Sequence, residues 1–148
     1  MHGPRISKRP TKSPKLLLLD TGLLAHLLAV DADRLQADRT LLGHMLENFV
    51  AVELLKQLGW SRRKCGLFHF RTTSGQEVDL VLEDASGQLV GIEVKAGATV
   101  ERHDFRGLET MAAAVGKRFV RGIVLYTGNV AAPFGERLHA LPIHCLWA

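Results

Sequence analysis

Between Glu77 and Lys95 the chain reads EVDLVLEDASGQLVGIEVK: two alternating apolar runs, Glu77–Glu83 and Gln88–Lys95, split by the turn Asp84-Ala85-Ser86-Gly87. A third run, Leu67–Arg71, precedes them across Ser74-Gly75. Turn residues at this spacing between period-two segments predict an antiparallel three-strand meander. That element constrains the rest of the fold, because one face of such a sheet must be covered by something else in the chain.

Helical patterns on both sides supply the cover. Upstream, Leu16–Asp20 reads as a short apolar strand or turn. A small helix follows, with Asp20 or Thr21 as its N-cap and Leu23, Leu24, Leu27 and Leu28 at helical spacing. After a polar stretch from Asp31 to Asp38, a longer helix is expected from about Thr40 to Leu58, stopped by Gly59, with Leu42, Met45, Leu46, Phe49, Val50, Leu54 and Leu58 forming a broad apolar stripe. Downstream, a helix from about Glu101 to Val115 ends at Gly116. A buried β-branched strand over Gly122–Thr127 and a last strand over Pro142–Trp147 complete the reading. No internal repeat is present. The order predicts an α/β fold: a mixed sheet made of the meander plus later strands, flanked by helices.

With 148 residues, 47% hydrophobic and 23% charged, the chain has room for one domain with one continuous core. Residues 1–14 carry Pro4, Pro10 and Pro14 among scattered cations, so they are expected to form an exposed arm or linker, leaving 15–148 as the domain. The longest apolar runs, Leu16–Leu19 and Ile123–Tyr126, fall far short of the roughly 20 residues of a membrane-spanning helix, and no secretory leader opens the chain. A cytoplasmic protein is expected. Cys65 and Cys145 lie in no ligand pattern and are expected to be reduced. The net charge of +4 is compatible with a polyanionic partner, although its cations concentrate in the N-terminal stretch and in Arg62-Arg63-Lys64.

Chemistry concentrates in the meander. Asp79 stands on the second strand; Glu93 and Lys95, two apart, project from one face of the third while Ile92 and Val94 project from the other. Folding the two strands across Asp84–Gly87 brings Asp79 opposite or diagonal to Glu93. Two adjacent carboxylates repel unless a cation offsets them, and Mg²⁺ (or Mn²⁺) favours such oxygen ligands while keeping several waters. The backbone carbonyl of Val94 is a candidate further ligand. A metal held there would activate water and polarise a phosphoryl oxygen, with Lys95 orienting the attacking water. Metal-dependent phosphodiester hydrolysis is the chemistry this set suits.

These residues resemble the PD-(D/E)XK, or restriction-endonuclease-like, superfamily: Asp79, then Glu93-Val94-Lys95 on the neighbouring strand, preceded by a helix bearing a glutamate. The segments Lys12-Ser13-Pro14-Lys15, Leu19-Asp20-Thr21-Gly22-Leu23, Leu46-Glu47-Asn48-Phe49-Val50, Ser74–Asp79 and Ile123–Gly128 resemble a C-terminal domain of unknown function that follows a AAA-type ATPase module in many prokaryotic proteins. The resemblance runs from about Lys12 to Trp147. It implies a restriction endonuclease-like core, a nuclease-type site whose metal ligands are Asp79, Glu93 and Val94, and Glu47 as a helix-borne fourth member beside Lys95. It also implies DNA as substrate and an ATPase module in cis, of which this sequence would be a fragment or a stand-alone remnant. No GxxxxGK[ST] loop occurs in these residues, so they cannot bind ATP by that route. Val78 stands where the superfamily pattern has proline.

Each residue also has a plainer reading. Asp79, Glu93 and Lys95 alternate as an ordinary charged ladder does on a solvated strand face. Glu47 shares a helix face with Val50, Ala51 and Leu54, where a salt bridge or a capping role serves as well as metal contact. Glu77, His69, Arg71 and His44 read as surface residues or as outer members of the site. The clusters Arg62-Arg63-Lys64 and Arg102/Arg106 read as a solvated face or as contacts to a nucleic-acid backbone. A non-catalytic nucleic-acid- or protein-binding module is the alternative function.

Overall fold

The computed structural model describes residues 15–148. The expected arm at 1–14 lies outside the described residues. From Lys15 to Asp20 the chain has no regular secondary structure. Asp20 then caps α1 (Thr21–Leu27) by accepting from the Leu23 N–H, as its position predicts. The polar stretch after it holds a short helix that its composition did not announce, α2 (Ala32–Ala37), capped by Asp31. Asp38 caps α3 (Arg39–Trp60) through the Leu41 N–H. Gly59 does not stop α3, contrary to expectation. It carries no positive φ, and the helix ends only where Ser61 leaves helical dihedrals for φ −63°, ψ 140°. A glycine terminates a helix by adopting the left-handed conformation, not by its presence alone.

The meander forms as β1 (Cys65–Arg71), β2 (Glu77–Asp84) and β3 (Leu89–Lys95), both pairings antiparallel. Asp84 organises the second turn: its carboxylate accepts from the Ser86 and Gln88 N–H groups, and Gly87 takes φ +81°. A 3₁₀ turn (Arg102–Phe105) leads into α4 (Arg106–Val115), which ends at Gly116 with φ +60°. β4 (Phe119–Tyr126) then runs parallel to β3. The sheet is completed by β5 (Ala132–Pro133) and β6 (Leu138–Pro142), in the order β1-β2-β3-β4-β6-β5.

One expected strand is displaced. Pro142–Trp147 is not the last strand; β6 ends at Pro142, and Ile143–Trp147 is a 3₁₀ turn. Proline has no N–H to give a ladder, so it closes the strand. The ladder partners of β4 are instead Leu138–Pro142.

The six-stranded mixed sheet is covered on both faces. On one side α3 lays Val50, Ala51 and Leu54 against Leu80, Ile92 and Leu125. On the other, α4 and its leading turn bury Phe105, Leu108 and Met111 against Val78, Val81, Leu89 and Val124. Leu108 is wholly buried, and at about 25 cal/mol per Å² a leucine so placed is worth roughly 2 kcal/mol. The pairing of β2 with β1 slips by one: Phe68 pairs with Val81 and Phe70 with Val78, so Asp79 and Leu80 together oppose His69. Val78 and Val81 therefore share the α4 side while Leu80 faces α3. Cys65 and Cys145 are both free. No helix of the described residues is long and apolar enough to cross a membrane.

Candidate functional site

The β2–β3 ladder closes at Leu80 opposite Ile92, and its register carries Asp79 to the level of Glu93. The two carboxyl groups are hydrogen-bonded to each other, and Asp79 Oδ2 also accepts from the Val94 N–H at 2.9 Å. Asp79 thus caps the amide that the ladder leaves open. Glu93 points to the α4 side, where a Cβ added at Gly107 would lie 2.6 Å from its Oε1. Burial there, reinforced by the neighbouring Asp79 charge and the shared hydrogen bond, pushes the Glu93 carboxyl up to about 9. One proton held between two carboxylates is what close packing without a second cation produces.

That shift has a consequence for stability. In the unfolded chain Glu93 ionises near its ordinary value of 4.5, while in the fold it keeps its proton to about 9. Between these values the folded state binds more protons than the unfolded one, so the Glu93 contribution makes stability fall as pH rises. Glu93→Gln retains a donor toward Asp79 but cannot ionise. The variant is expected to lose this decline and to exceed the parent by up to about 5 kcal/mol at pH 8. Urea melts across pH 5–9 read the difference; superimposable profiles would show that Glu93 ionises normally in the fold.

Glu47 reaches the same place from α3, on the other side of Asp79. The link between them is Lys15, whose Nζ lies 2.5 Å from Glu47 Oε1 and 3.4 Å from Asp79 Oδ1. Its side chain stays 32% exposed, against 19% for Glu47 and 18% for Asp79. Burial works to lower the Lys15 pKa, but the hydrogen bond to Glu47 and the charges of Asp79 and Glu47 outweigh it, and the net shift is upward. Asn48, the next residue of α3, holds the segment in position. Its amide accepts from the Leu18 N–H and donates to the Leu18 carbonyl and to Thr21 Oγ1, each at 3.0 Å.

Lys95 leaves β3 on the Glu93 side, as the strand period predicts, but its ammonium pairs with Asp104 rather than with Asp79 or Glu93. Asp104 also accepts from the Glu101 N–H at 2.7 Å, completing a capping box at the turn before α4. Burial works to raise the Asp104 pKa, but the Glu101 N–H, the hydrogen bond to Lys95 and its charge outweigh it, and the net shift is downward. Of the outlying candidates, Glu77 pairs with Arg71 at 2.8 Å and Arg102 with Glu109 at 2.9 Å. His69 is exposed. His44 lines a cavity of about 470 Å³ together with Lys15, Glu47, Asp79, Leu24, Leu28 and Leu41.

Sequence reasoning reached Asp79, Glu93 and Glu47 and missed Lys15, Asn48 and Asp104. Lys15 falls within the resemblance segment Lys12-Ser13-Pro14-Lys15, but nothing in the sequence assigns it to the carboxylates. Asp104 carried a readable signal, the Glu-x-x-Asp of a capping box nine residues past Lys95. Asn48 carried one in being an amide next to an apolar helical stripe.

As a cation site the set is incomplete in one respect and suitable in others. Among the described residues no group of three or more His, Cys, Asp or Glu side chains is arranged to hold a metal. Asp79 and Glu93 are nevertheless oxygen donors on adjacent strands, and Asp79 already draws a cation, Lys15. Mg²⁺ or Mn²⁺ takes few protein oxygens and completes its shell with water, so this donor pair fits it.

Two curated relatives, uncharacterized proteins of Mycobacterium bovis and Mycobacterium tuberculosis, are each 34% identical to the chain over 140 residues, covering 93% of the chain and 29% of the relative. The chain therefore spans less than a third of the length of these relatives. Among solved structures, a half-complex from a tetradecameric assembly of Thermococcus gammatolerans McrB AAA+ hexamers with bound McrC overlaps 68% of this chain and 27% of that one, with a TM-score of 0.49 and 10% identity. Residues 42–146, which hold most of α3, the meander, α4 and the closing strands, match the model of the family described as Domain of unknown function (DUF4143), and the chain belongs to that family.

Proposed function

We propose that this domain is a metal-dependent nuclease-like module that hydrolyses DNA phosphodiester bonds as the C-terminal part of a AAA-type ATPase. The observation that carries the reading is the Asp79–Glu93 carboxyl pair at the open end of the β2–β3 ladder, flanked by Glu47 and by two lysines. Asp79 and Glu93 would hold Mg²⁺ or Mn²⁺. The carbonyl of Val94, a residue whose N–H already meets Asp79, would be a further ligand. A divalent ion bound there supplies charge stabilisation for a phosphoryl oxygen and a more acidic water.

The remaining roles fall to the chain itself. Glu93 would release its proton to solvent if a divalent cation took the place of that proton between it and Asp79. Asp104 holds Lys95 at the rim, from which its ammonium can turn to an incoming phosphate. Gly107 keeps α4 close to Glu93. The PD-(D/E)XK resemblance of Asp79, Glu93-Val94-Lys95 and Glu47 supports the choice of a nuclease, and the net charge of +4 supports a polyanionic substrate. The curated relatives extend well beyond the aligned stretch, which leaves room in them for an ATPase module.

Titration calorimetry with MnCl₂ tests the site. The parent chain is expected to bind one Mn²⁺, and Asp79→Ala to reduce the heat to that of dilution. In a matched cleavage assay on duplex and single-stranded DNA with Mg²⁺, Asp79→Ala and Lys95→Ala are expected to lose activity by a factor of about 100 or more. Variants that cut as fast as the parent would defeat the nuclease reading.

One observation favours a second reading, a non-catalytic module through which the ATPase binds nucleic acid or protein. Both lysines at the site are already neutralised by carboxylates of the chain, Lys15 by Glu47 and Asp79 and Lys95 by Asp104. That module would have a thermal midpoint indifferent to Mg²⁺ and Mn²⁺, whereas a cation site is stabilised by mass action.

A further inference from the structure

We propose that Lys15 is a built-in counter-cation that competes with a divalent metal for Asp79 and Glu47, so that the strap Lys15–Leu19 must release its lysine before the site can load. This rests on the reading of Asp79 and Glu93 as a cation site and adds its control. The ammonium stands within reach of one oxygen of each acid, 2.5 Å from Glu47 and 3.4 Å from Asp79. A divalent cation on Asp79 would lie within about 4 Å of that ammonium, a separation at which two positive charges repel strongly wherever water is partly excluded. The two cannot share the acids.

The strap is built for a reversible exchange. It has no regular secondary structure and lies against α3 through the Asn48 amide, which holds Leu18 by both backbone groups. Leu18 is fixed, while Lys15 lies three residues further out, with a side chain about one-third exposed at the wall of the 470 Å³ cavity. Rotation of its four-carbon stem carries the charge into solvent without disturbing the core, since Leu16 beside it is already 94% exposed. Lys95, by contrast, is tied to an acid of its own, Asp104, and does not contend for Asp79. The two lysines therefore have different relations to a metal: Lys95 can coexist with it, and Lys15 must move.

The test is Mn²⁺ affinity by calorimetry for the 148-residue parent, Lys15→Met, Lys15→Gln and Asp79→Ala. Lys15→Met removes the charge and keeps the stem; Lys15→Gln also keeps a donor toward Glu47. Both are expected to bind Mn²⁺ at least about tenfold more tightly than the parent. Thermal melts give a second readout: without metal both variants melt below the parent, and with saturating Mn²⁺ the order reverses, a crossing that a merely structural lysine would not produce. Equal or weaker binding by the Lys15 variants, with binding still lost in Asp79→Ala, would overturn the competition and leave the carboxylate site standing. Absence of Mn²⁺ binding in the parent and in both Lys15 variants would overturn both.

Discussion

Gly107→Ala is expected to cost about 3 kcal/mol or more of folding stability, a larger loss than any surface substitution in this chain would give. A Cβ at this position would stand 2.1 Å from the Glu77 carbonyl oxygen and 2.6 Å from Glu93 Oε1. The Glu93 side chain can turn aside, but the Glu77 oxygen is backbone of β2 and cannot. To admit the methyl group α4 must lift from the sheet, and it carries Leu108 and Met111, both with no exposed surface. Interior packing is too dense to absorb such a shift locally. Denaturant unfolding would measure the loss, and a variant within about 1 kcal/mol of the parent would mean that α4 does not approach β2 this closely.

Asn48→Ala is the second large effect, with an expected loss of about 2–3 kcal/mol. The substitution removes three hydrogen bonds and leaves the Leu18 N–H and carbonyl, both partly buried, without their partner. Most of the cost is the desolvation of those backbone groups rather than the bonds themselves. Because Asn48 anchors the strap, the variant should also become sensitive to protease between Lys15 and Thr21 at concentrations that leave the parent intact. An Asn48→Ala chain as stable and as resistant as the parent would show that the strap is not held from α3.

The sheet was largely readable because its signals are local. Asp84 through Gly87 is a turn whose chemistry is complete within a few residues, and the alternation after it fixes which side chains of β3 share a face. The caps Asp20 and Gly116 are local in the same sense. Misreadings arose where the deciding partner lies elsewhere. Leu138–Pro142 is a strand because β4 pairs with it in parallel, and nothing in five residues ending in proline announces that neighbour. Gly59 has the identity of a helix stop but not the conformation.

The site divides along the same line. Asp79 and Glu93 were predictable from one hairpin, and the structure brings them together. Lys15 reaches partners 32 and 64 residues away, and no periodicity or spacing encodes a contact of that range. Lys95 was placed correctly by face and incompletely by partner: the strand period fixes its direction, while the acid it meets comes from the turn ahead of α4.

The register slip between β1 and β2 gives the candidate site an unusual dependence. Asp79 escapes strict alternation because it and Leu80 are accommodated opposite a single residue, His69. Its aim is therefore set by a count, two residues against one, and not by any property of the carboxylate or its neighbours. A one-residue deletion in β2 between Asp79 and Glu83 would leave every named acid and lysine in the sequence and still shift Asp79 out of level with Glu93. Among members of this family, loss of the site can thus be written as a change in length that a survey of residue identities would pass over.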